Sequence, residues 1–332
     1  MGSPDGVGEG SLSESEPVDL ADAPSTRAER REAKAKLKGP PGILSDLRTL
    51  SKPGITSFCV MMAAGGAGVA GALPGVVEGP FPWLKTLVAM VGCGMSVAGA
   101  NTLNMFAERE GDKSMRRTKE RPLPAGRMKA WVALVFGIVL AVISTALLWW
   151  VNSLTAYVAL AALLSYVFIY TPMKRRSALA LWVGAFPGAA PPLLGWTAVT
   201  GEIGAPGVVL FAILWVWQIP HFIAISIFRQ RDYEQAGIYV VPSVSGLESA
   251  KVQSLVWSII LVTTSMMLVV LNVANMLYFT VASLVGVWFF VFSMRGFEPD
   301  AGNKWARSFF FASLIYLPVL TLALVLDLWW LA

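Results

Sequence analysis

The sequence predicts an all-α protein, a polytopic membrane bundle of nine transmembrane helices. Of its 332 residues, 55% are hydrophobic and only 14% are charged, whereas a soluble domain carries about 25% charged residues. A helix needs about 20 apolar residues to cross the hydrocarbon layer, and open strands cannot cross it because their backbone groups would lack partners. Nine apolar stretches succeed one another: 55–77, 83–104, 130–151, 154–170, 178–200, 208–228, 252–272, 276–293 and 309–331.

The segment before the first apolar stretch has a different composition. Residues 1–26 are rich in Gly, Ser, Pro and acids, and such a segment cannot bury enough apolar surface to fold. Residues 27–38, RAERREAKAKLK, predict a basic helix that is either solvated or in contact with anionic lipids. We therefore expect a disordered, basic cytoplasmic tail over residues 1–50 and a nine-helix domain over residues 51–332.

The basic residues predict how the bundle is oriented. When the nine stretches are threaded alternately across a bilayer, 25 of the 26 Lys and Arg residues fall on the side of the first residues, and only Lys85 falls on the other. Positive charge marks the cytoplasmic side, so we expect a cytoplasmic N-terminus and an external C-terminus. Because the bases are spread over five separate segments, they indicate topology, and no nucleic-acid partner is expected.

The first long cytoplasmic loop, NMFAEREGDKSMRRTKERPLPAGR, carries the strongest candidate site. It places three acids among seven bases: Glu108, Glu110 and Asp112. Asn104, Glu108 and Asp112 are spaced by four, so one continuous helix would put them on one face. Mg²⁺ commonly binds through one or two carboxylates together with substrate phosphates, and Arg117 and Arg121 are suited to grip phosphate oxygens. The alternative is a topological loop whose acids only balance its bases.

Two other cytoplasmic segments carry weaker candidates. The loop RQRDYEQAGIYVVP, 229–242, offers Asp232 and Glu234, and its Gly and Pro predict turns instead of a continuous helix. As a second acidic loop on the same face, it would complete a site with two metals. Three consecutive bases, Lys174 to Arg176, follow the fourth stretch. They either anchor the topology or bind a diphosphate or a carboxylate.

Two features within the apolar stretches point to a cavity. His221 is the single histidine of the chain and lies near the cytoplasmic end of the sixth stretch, in WQIPHF. An ionisable group inside a membrane span is a functional candidate, so His221 either contacts a substrate or serves packing and hydrogen bonding. The run PGAAPPLLGW, 187–196, places three prolines in the fifth stretch, and a broken membrane helix usually lines a cavity.

Taken in order, these motifs resemble those of the intramembrane prenyltransferases, the UbiA superfamily, and most closely its haem O synthase branch. The resemblance runs from about Lys52 to the C-terminus through KPGIT, NTLNMF, MRRTKERPLPAGR, YTPMKRRS, PGAAPPLLGW, PHF and DYEQAGIYVVP. It implies farnesyl transfer from farnesyl diphosphate to a vinyl group of haem B, with water added. It also implies Mg²⁺ as cofactor, a bacterial-type inner membrane and, as a further partner, a haem A synthase.

The resemblance also implies roles for individual residues. Metal ligation falls to Asn104, Glu108, Asp112 and Asp232. Neutralisation of the leaving diphosphate falls to Arg117, Arg121 and Lys174, and contacts to the haem fall to Lys174, Arg175, His221 and Tyr233. Three departures bear on these roles: Glu108 and Glu110 stand where the branch often has Asp, Ser177 replaces a usual Thr, and Ala180 replaces a usual Asn.

Two other functions compete with this interpretation. A polyprenyltransferase acting on a quinone-ring or chlorophyll-type acceptor is disfavoured because such relatives usually carry a second Asp where this chain has Ala236. A transporter would also suit a bundle with a broken span. That alternative calls for ionisable residues deep in the membrane, whereas nearly all the charge here lies in loops.

Overall fold

The computed structural model describes residues 42–115 and 118–330. The helices of this part of the chain are α1 (Ile43–Leu50), α2 (Pro53–Ala72), α3 (Trp83–Glu108), α4 (Ala130–Val151), α5 (Ser153–Leu164), α6 (Ala180–Thr200), α7 (Ala205–Phe228), α8 (Gln230–Gln235), α9 (Val241–Val270), α10 (Met276–Met294) and α11 (Asn303–Trp330). Every predicted apolar stretch is helical, and the described residues contain no strand. The all-α membrane class is therefore confirmed.

The number of helices that can cross a bilayer depends on α6. Within the described residues, eight helices are both long and apolar enough to span a membrane. The ninth long helix, α6, has 21 residues but contains Pro187, Pro191 and Pro192. Its length suits a membrane crossing at 1.5 Å per residue, and its prolines and glycines lower its hydropathy.

Helices α5 and α9 are among those that extend beyond the predicted stretches. Helix α5 continues through a π-helical segment, Ser165–Tyr170, to Met173. Helix α9 begins at Val241, whereas the predicted apolar stretch begins near residue 252. Hydropathy places the start too late because the first turns of the helix are polar. It bends at Gly246, whose φ of 81° is left-handed and suits glycine. The π-helical segment of α5, Ser165–Tyr170, is of a kind that often occurs at functional sites.

Helices α2 and α6 pack with their backbones in direct contact. A Cβ atom added to Gly66 would lie 1.9 Å from the Pro192 carbonyl oxygen, and one added to Gly195 would lie 1.7 Å from that of Ala63. Small residues allow such close approach between membrane helices. This contact holds the proline-rich part of α6 in a fixed place beside α2.

Helix α1 fastens the loop that follows α3. Leu50 is fully buried in a cluster with Met105, Leu123 and Met128, and Asp46 forms a buried ion pair with Arg127 at 3.1 Å. These residues precede the predicted start of the bundle domain, yet they pack on its loop. Residues 1–41 lie outside the described part of the chain, so the disordered tail stays a prediction.

Candidate functional site

A cavity of about 520 Å³ lies at the end of the bundle that carries the loops after α3 and α7. Helices α2, α3, α5, α6 and α7 contribute to its wall. Its volume falls within the roughly 300–1,000 Å³ typical of small-molecule sites. Charged side chains concentrate at one end: Lys52, Glu108, Asp112, Arg121, Lys174 and Arg175. Much of the remaining wall is apolar, with residues such as Val97, Ala100 and Leu163.

The end of α3 places the predicted acids in this cavity. Asn104 and Glu108 are buried one turn apart on the helix. The helix ends at Glu108, and Asp112 follows in a 3₁₀ turn, Gly111–Ser114. The expectation of one continuous helical face through Asp112 is therefore wrong. The tighter turn still directs Asp112 into the cavity, where its side chain is only 6% exposed.

Each of these three polar groups has a polar partner. The Lys174 ammonium contacts Glu108 Oε1 as an ion pair, and Arg121 donates to Asp112 Oδ2 at 2.6 Å. The Asn104 amide donates to Thr171 Oγ1 at 3.0 Å. Because buried charges are costly unless they are paired, these ion pairs offset the cost of placing two carboxylates in the cavity wall.

The basic side chains form a positively charged rim around the acids. Burial, reinforced by the nearby charges of Lys52 and Arg175, lowers the pKa of Lys174 to about 7. The Arg175 guanidinium lies against Gly111, where a Cβ atom would come within 1.5 Å of it. Residue 111 must therefore be glycine for Arg175 to take this position. An anion entering the cavity would meet several bases at once.

Several predicted site residues lie elsewhere. Asp232 is 44% exposed at its side chain, pairs with Arg229 at 3.2 Å, and does not line the cavity. Within the described residues, no group of three His, Cys, Asp or Glu side chains is placed to hold a metal. In this structure neither Asp232 nor Glu234 lines the cavity, and the part of the second loop in a metal site stays a prediction. Arg117 lies outside the described residues.

Of the two roles expected for His221, substrate contact or packing with hydrogen bonding, the structure shows contacts of the second kind. His221 does not line the cavity. A hydrogen bond of 2.8 Å joins its Nδ1 to Ser313 Oγ on α11. Its ring stacks on Trp217 at 4.7 Å and packs against Phe310 at 4.8 Å. Helix α7 directs Gln218 and Phe222 to the cavity and turns His221 towards α11.

Other cavity residues went unpredicted. Tyr166 and Tyr170 lie on the π-helical segment, stack at 5.2 Å, and line the cavity. The Lys174 ammonium sits 5.5 Å from the centre of the Tyr170 ring. The loop after α8 contributes Tyr239, whose N–H donates to the Lys174 carbonyl at 3.0 Å. A π-helical turn has no clear signature in hydropathy, which explains why these tyrosines were missed.

The proline-rich helix α6 lines the cavity, as the sequence predicts, although it is continuous over Ala180–Thr200 and not broken. Pro187 and Gly188 of α6 form part of its wall. Arg175 and Tyr233 also line it, as expected for residues that contact a substrate.

Comparisons with known proteins give a consistent result. Residues 60–315 match the model of the UbiA prenyltransferase family. The chain is 45% identical over 294 residues to the protoheme IX farnesyltransferase of Myxococcus xanthus (strain DK1622), covering 88% of this chain and 98% of that protein. It is 47% identical over 247 residues to the protoheme IX farnesyltransferase of Sorangium cellulosum (strain So ce56), covering 74% and 88%.

Solved structures share the fold at low sequence identity. A structure described as giving insights into digeranylgeranylglyceryl phosphate synthase in membranes superimposes with a TM-score of 0.74 at 16% identity, covering 86% of this chain and 98% of that one. A UbiA homolog from Archaeoglobus fulgidus bound to GPP and Mg²⁺ superimposes with a TM-score of 0.58 at 13% identity, covering 85% and 100%.

Proposed function

The chain belongs to the UbiA prenyltransferase family, and from this membership we propose that it transfers a farnesyl group from farnesyl diphosphate to a vinyl group of haem B. Water adds in the same reaction, and the products are haem O and diphosphate. The curated relatives that it matches over most of their length are protoheme IX farnesyltransferases. The enzyme is an integral, multi-pass membrane protein.

One observation carries the proposal: the cavity is charged at one end and apolar over much of its remaining wall. Farnesyl diphosphate has the same division, a polyanionic head and a chain without hydrogen-bonding groups. The head fits beside Arg121 and Lys174, and the chain fits against the apolar wall that includes Ile55 and Leu163. Burial of the chain supplies binding free energy at roughly 25 cal/mol per Å² of apolar surface.

The donor chemistry of the charged end fits a divalent metal. Glu108 and Asp112 supply two carboxylates, and Asn104 adds an amide one turn earlier on α3. Mg²⁺ typically takes one or two carboxylates and completes its coordination with water and phosphate oxygens. When bound, the metal would withdraw charge from the diphosphate as a Lewis acid. The solved relative with GPP and Mg²⁺ supports this cofactor.

The chain's own bases assist departure of the diphosphate. The bond between farnesyl C1 and its oxygen breaks, and the electron pair leaves with the diphosphate. Arg121 and Lys174 now pair with Asp112 and Glu108, and both bases can reorient their N–H donors to the departing oxygens. Donors positioned where charge develops lower the barrier. The allylic cation then accepts the π electrons of the vinyl group.

The residues proposed to contact the acceptor, haem B, are assigned from their position in the cavity wall. Arg175 and Tyr233 line the cavity and are candidates to contact haem B, with Lys174 shared between both substrates. Haem propionates are anions, and Arg175 gives them a cationic partner. A haem A synthase remains the proposed partner that would consume the product.

We also propose that the enzyme lies in an inner membrane with its N-terminus in the cytoplasm and its C-terminus outside. The basis is the distribution of Lys and Arg. Reporter fusions at residue 20 and after residue 332 test it, and both reporters on one side would contradict it.

A direct assay tests the activity. Purified enzyme is incubated with haem B, farnesyl diphosphate and Mg²⁺, and the products are identified by mass. We expect a haem that has gained a farnesyl group and one water. A parallel incubation replaces haem B with 4-hydroxybenzoate, a quinone precursor. Prenylation of that acceptor and none of haem would overturn the proposed acceptor.

A further inference from the structure

Helix α3 carries one more polar side chain into the cavity, below the ion pairs. Asn101 lines the cavity and is only 4% exposed. It lies two turns before Glu108, about 10 Å along the helix axis. Asn104 lies on the same face and has Thr171 as its partner. The Asn101 side chain, by contrast, makes no hydrogen bond to the described residues, and its polar atoms stay open to the cavity.

An amide in such a place needs a partner that the protein does not supply. The wall around Asn101 is apolar and includes Val97, Ala100 and Leu163. Buried amides almost always hydrogen-bond to protein or to ordered water, and burying one without a partner is unfavourable. A farnesyl chain offers neither donors nor acceptors. The partner of Asn101 is therefore water or a polar part of the second substrate.

A second amide faces the same cavity with its orientation fixed. Gln218 Nε2 donates to the carbonyls of Ala185 and Leu214, each at 3.0 Å. Both amide hydrogens are thereby used, so Gln218 Oε1 stays beside Gly188, where a Cβ atom would come within 2.1 Å of it. No donor reaches Oε1 from the residues that the structure describes. A water in this cavity would find an acceptor there.

Because the chain is proposed to be a farnesyltransferase, we propose that Asn101 holds the water molecule that adds to the haem vinyl group. Attack by the terminal vinyl carbon on farnesyl C1 forms the new C–C bond and leaves a cation on the vinyl carbon attached to the ring. The water oxygen donates a lone pair to this carbon. One water proton passes to the departed diphosphate, and the hydroxyl remains on the haem.

In this role, Asn101 determines which of two products the cation gives. With a positioned water, the cation is hydrated. Without it, the cation loses a proton from the adjacent new carbon, and the product is an alkene lighter by one water. The ratio of the two products reports the water directly. A purely structural role for Asn101 would lower the total yield and leave this ratio unchanged.

Asn101→Val and Asn101→Thr are a matched pair. The two new side chains have nearly the same shape, and Thr carries a hydroxyl group where Val carries a methyl group. Each variant is incubated with haem B, farnesyl diphosphate and Mg²⁺ in water labelled with heavy oxygen, and the haems are weighed. For Asn101→Val we expect the ratio of hydrated to dehydrated product to fall about tenfold or more, the scale of one lost hydrogen bond. Asn101→Thr retains hydration and the label. Asn101→Ala and Asn101→Ser replace the pair if branched side chains prevent folding.

The outcomes separate this proposal from the proposed function. If the wild-type enzyme makes no farnesylated haem, the proposed function fails. If the wild type makes it and Asn101→Val still gives only hydrated product, Asn101 does not hold the water. If folded variants of both kinds make no product, Asn101 acts before the hydration step, and the proposal is equally overturned.

Discussion

The loops after α3 and after α7 both carry acids at the cavity end of the bundle, but they supply different chemistry. The first brings Asp112 into the cavity next to the buried end of α3. The second turns its acid, Asp232, to the outside and directs Tyr233 and Tyr239 inwards. The presence of acids in both loops therefore does not imply an equivalent role. The carboxylates of the site come from the first loop, and the second loop supplies aromatic walls.

The ion pairs of the two loops explain this difference physically. The acids at the end of α3 are buried, and they pair with Arg121, nine residues after Asp112 in the same loop, and with Lys174 of another segment. Asp232 pairs with Arg229, three residues earlier on the same exposed segment. Exposed pairs of this kind contribute little, roughly 0–1 kcal/mol. We infer that the first loop binds the diphosphate and that the second encloses the acceptor.

The largest expected effect comes from making the same substitution, Asp to Asn, at one acid of each loop and comparing the two variants. Asp112→Asn removes a carboxylate inside the cavity at constant shape, and we expect kcat to fall at least about 100-fold, or roughly 2.7 kcal/mol in the barrier. Asp232→Asn should retain at least about ten times the activity of Asp112→Asn because Asp232 lies outside the cavity. Steady-state farnesylation of haem B measures both.

The control for this comparison is the thermal transition of each variant in detergent. Equal losses in two folded variants would show that Asp232 enters the site when substrates bind. A loss smaller than about tenfold for Asp112→Asn would count against metal ligation by Asp112.

The pH dependence of diphosphate binding sharpens the role of Lys174. A lysine is charged below its pKa, and here burial lowers that pKa to about 7. Binding of inorganic diphosphate with Mg²⁺ must restore the proton as pH rises, so its affinity should weaken by up to about tenfold per pH unit above pH 7. Lys174→Arg keeps the charge and should bind with a flatter profile.

Calorimetry across the pH range measures this difference. The titration of diphosphate itself is common to both proteins and cancels in the comparison at each pH. If the affinity for diphosphate falls equally with rising pH in the wild type and in Lys174→Arg, a pKa of about 7 for Lys174 is contradicted.

A smaller effect is expected from the aromatic wall of the second loop. Tyr239 lines the cavity while its backbone is fastened to Lys174. In Tyr239→Ala we expect KM for haem B to rise about tenfold, the scale of one lost aromatic contact, with KM for farnesyl diphosphate nearly unchanged. Tyr157→Ala is the matched control, because Tyr157 is similarly exposed and packs on Trp149 away from the cavity. A rise confined to farnesyl diphosphate would reverse the assignment of the two loops.

The fold was predictable because lipid constrains long segments strongly. A span must be apolar over its whole length, so hydropathy located every long helix, including proline-rich α6. The acids at the end of α3 were predictable because charge at a membrane boundary is conspicuous. The 3₁₀ turn that carries Asp112 was not predictable, since the change from α-helix to 3₁₀ turn after Glu108 involves only a few residues.

The direction of single side chains could not be predicted. Asp232 and Tyr233 are adjacent in the chain, yet only Tyr233 lines the cavity. On α7, Gln218 lines the cavity, whereas His221, three positions later, packs against α11. A helix turns by about 100° per residue, so the rotation of the helix in the bundle decides the outcome. That rotation depends on packing against neighbouring helices and leaves no signal in the local sequence.

The smallest expected effect on catalysis is that of His221, and it opposes the sequence-based expectation of a haem contact. The Ser313 hydroxyl already donates to the Phe310 carbonyl at 2.6 Å. A hydroxyl has one proton, so His221 Nδ1 must be the donor in its bond to Ser313. With its ring held between Trp217 and Phe310, His221 joins α7 to α11. His221→Ala should therefore destabilise the folded enzyme by about 1–3 kcal/mol and leave the absorption spectrum of bound haem unchanged. Ser313→Ala, which removes the same hydrogen bond from the other helix, should reproduce part of the loss in thermal stability. A shifted haem spectrum in His221→Ala, absent from Ser313→Ala, would instead identify the imidazole as a ligand of the iron and would require α7 to rotate when haem binds.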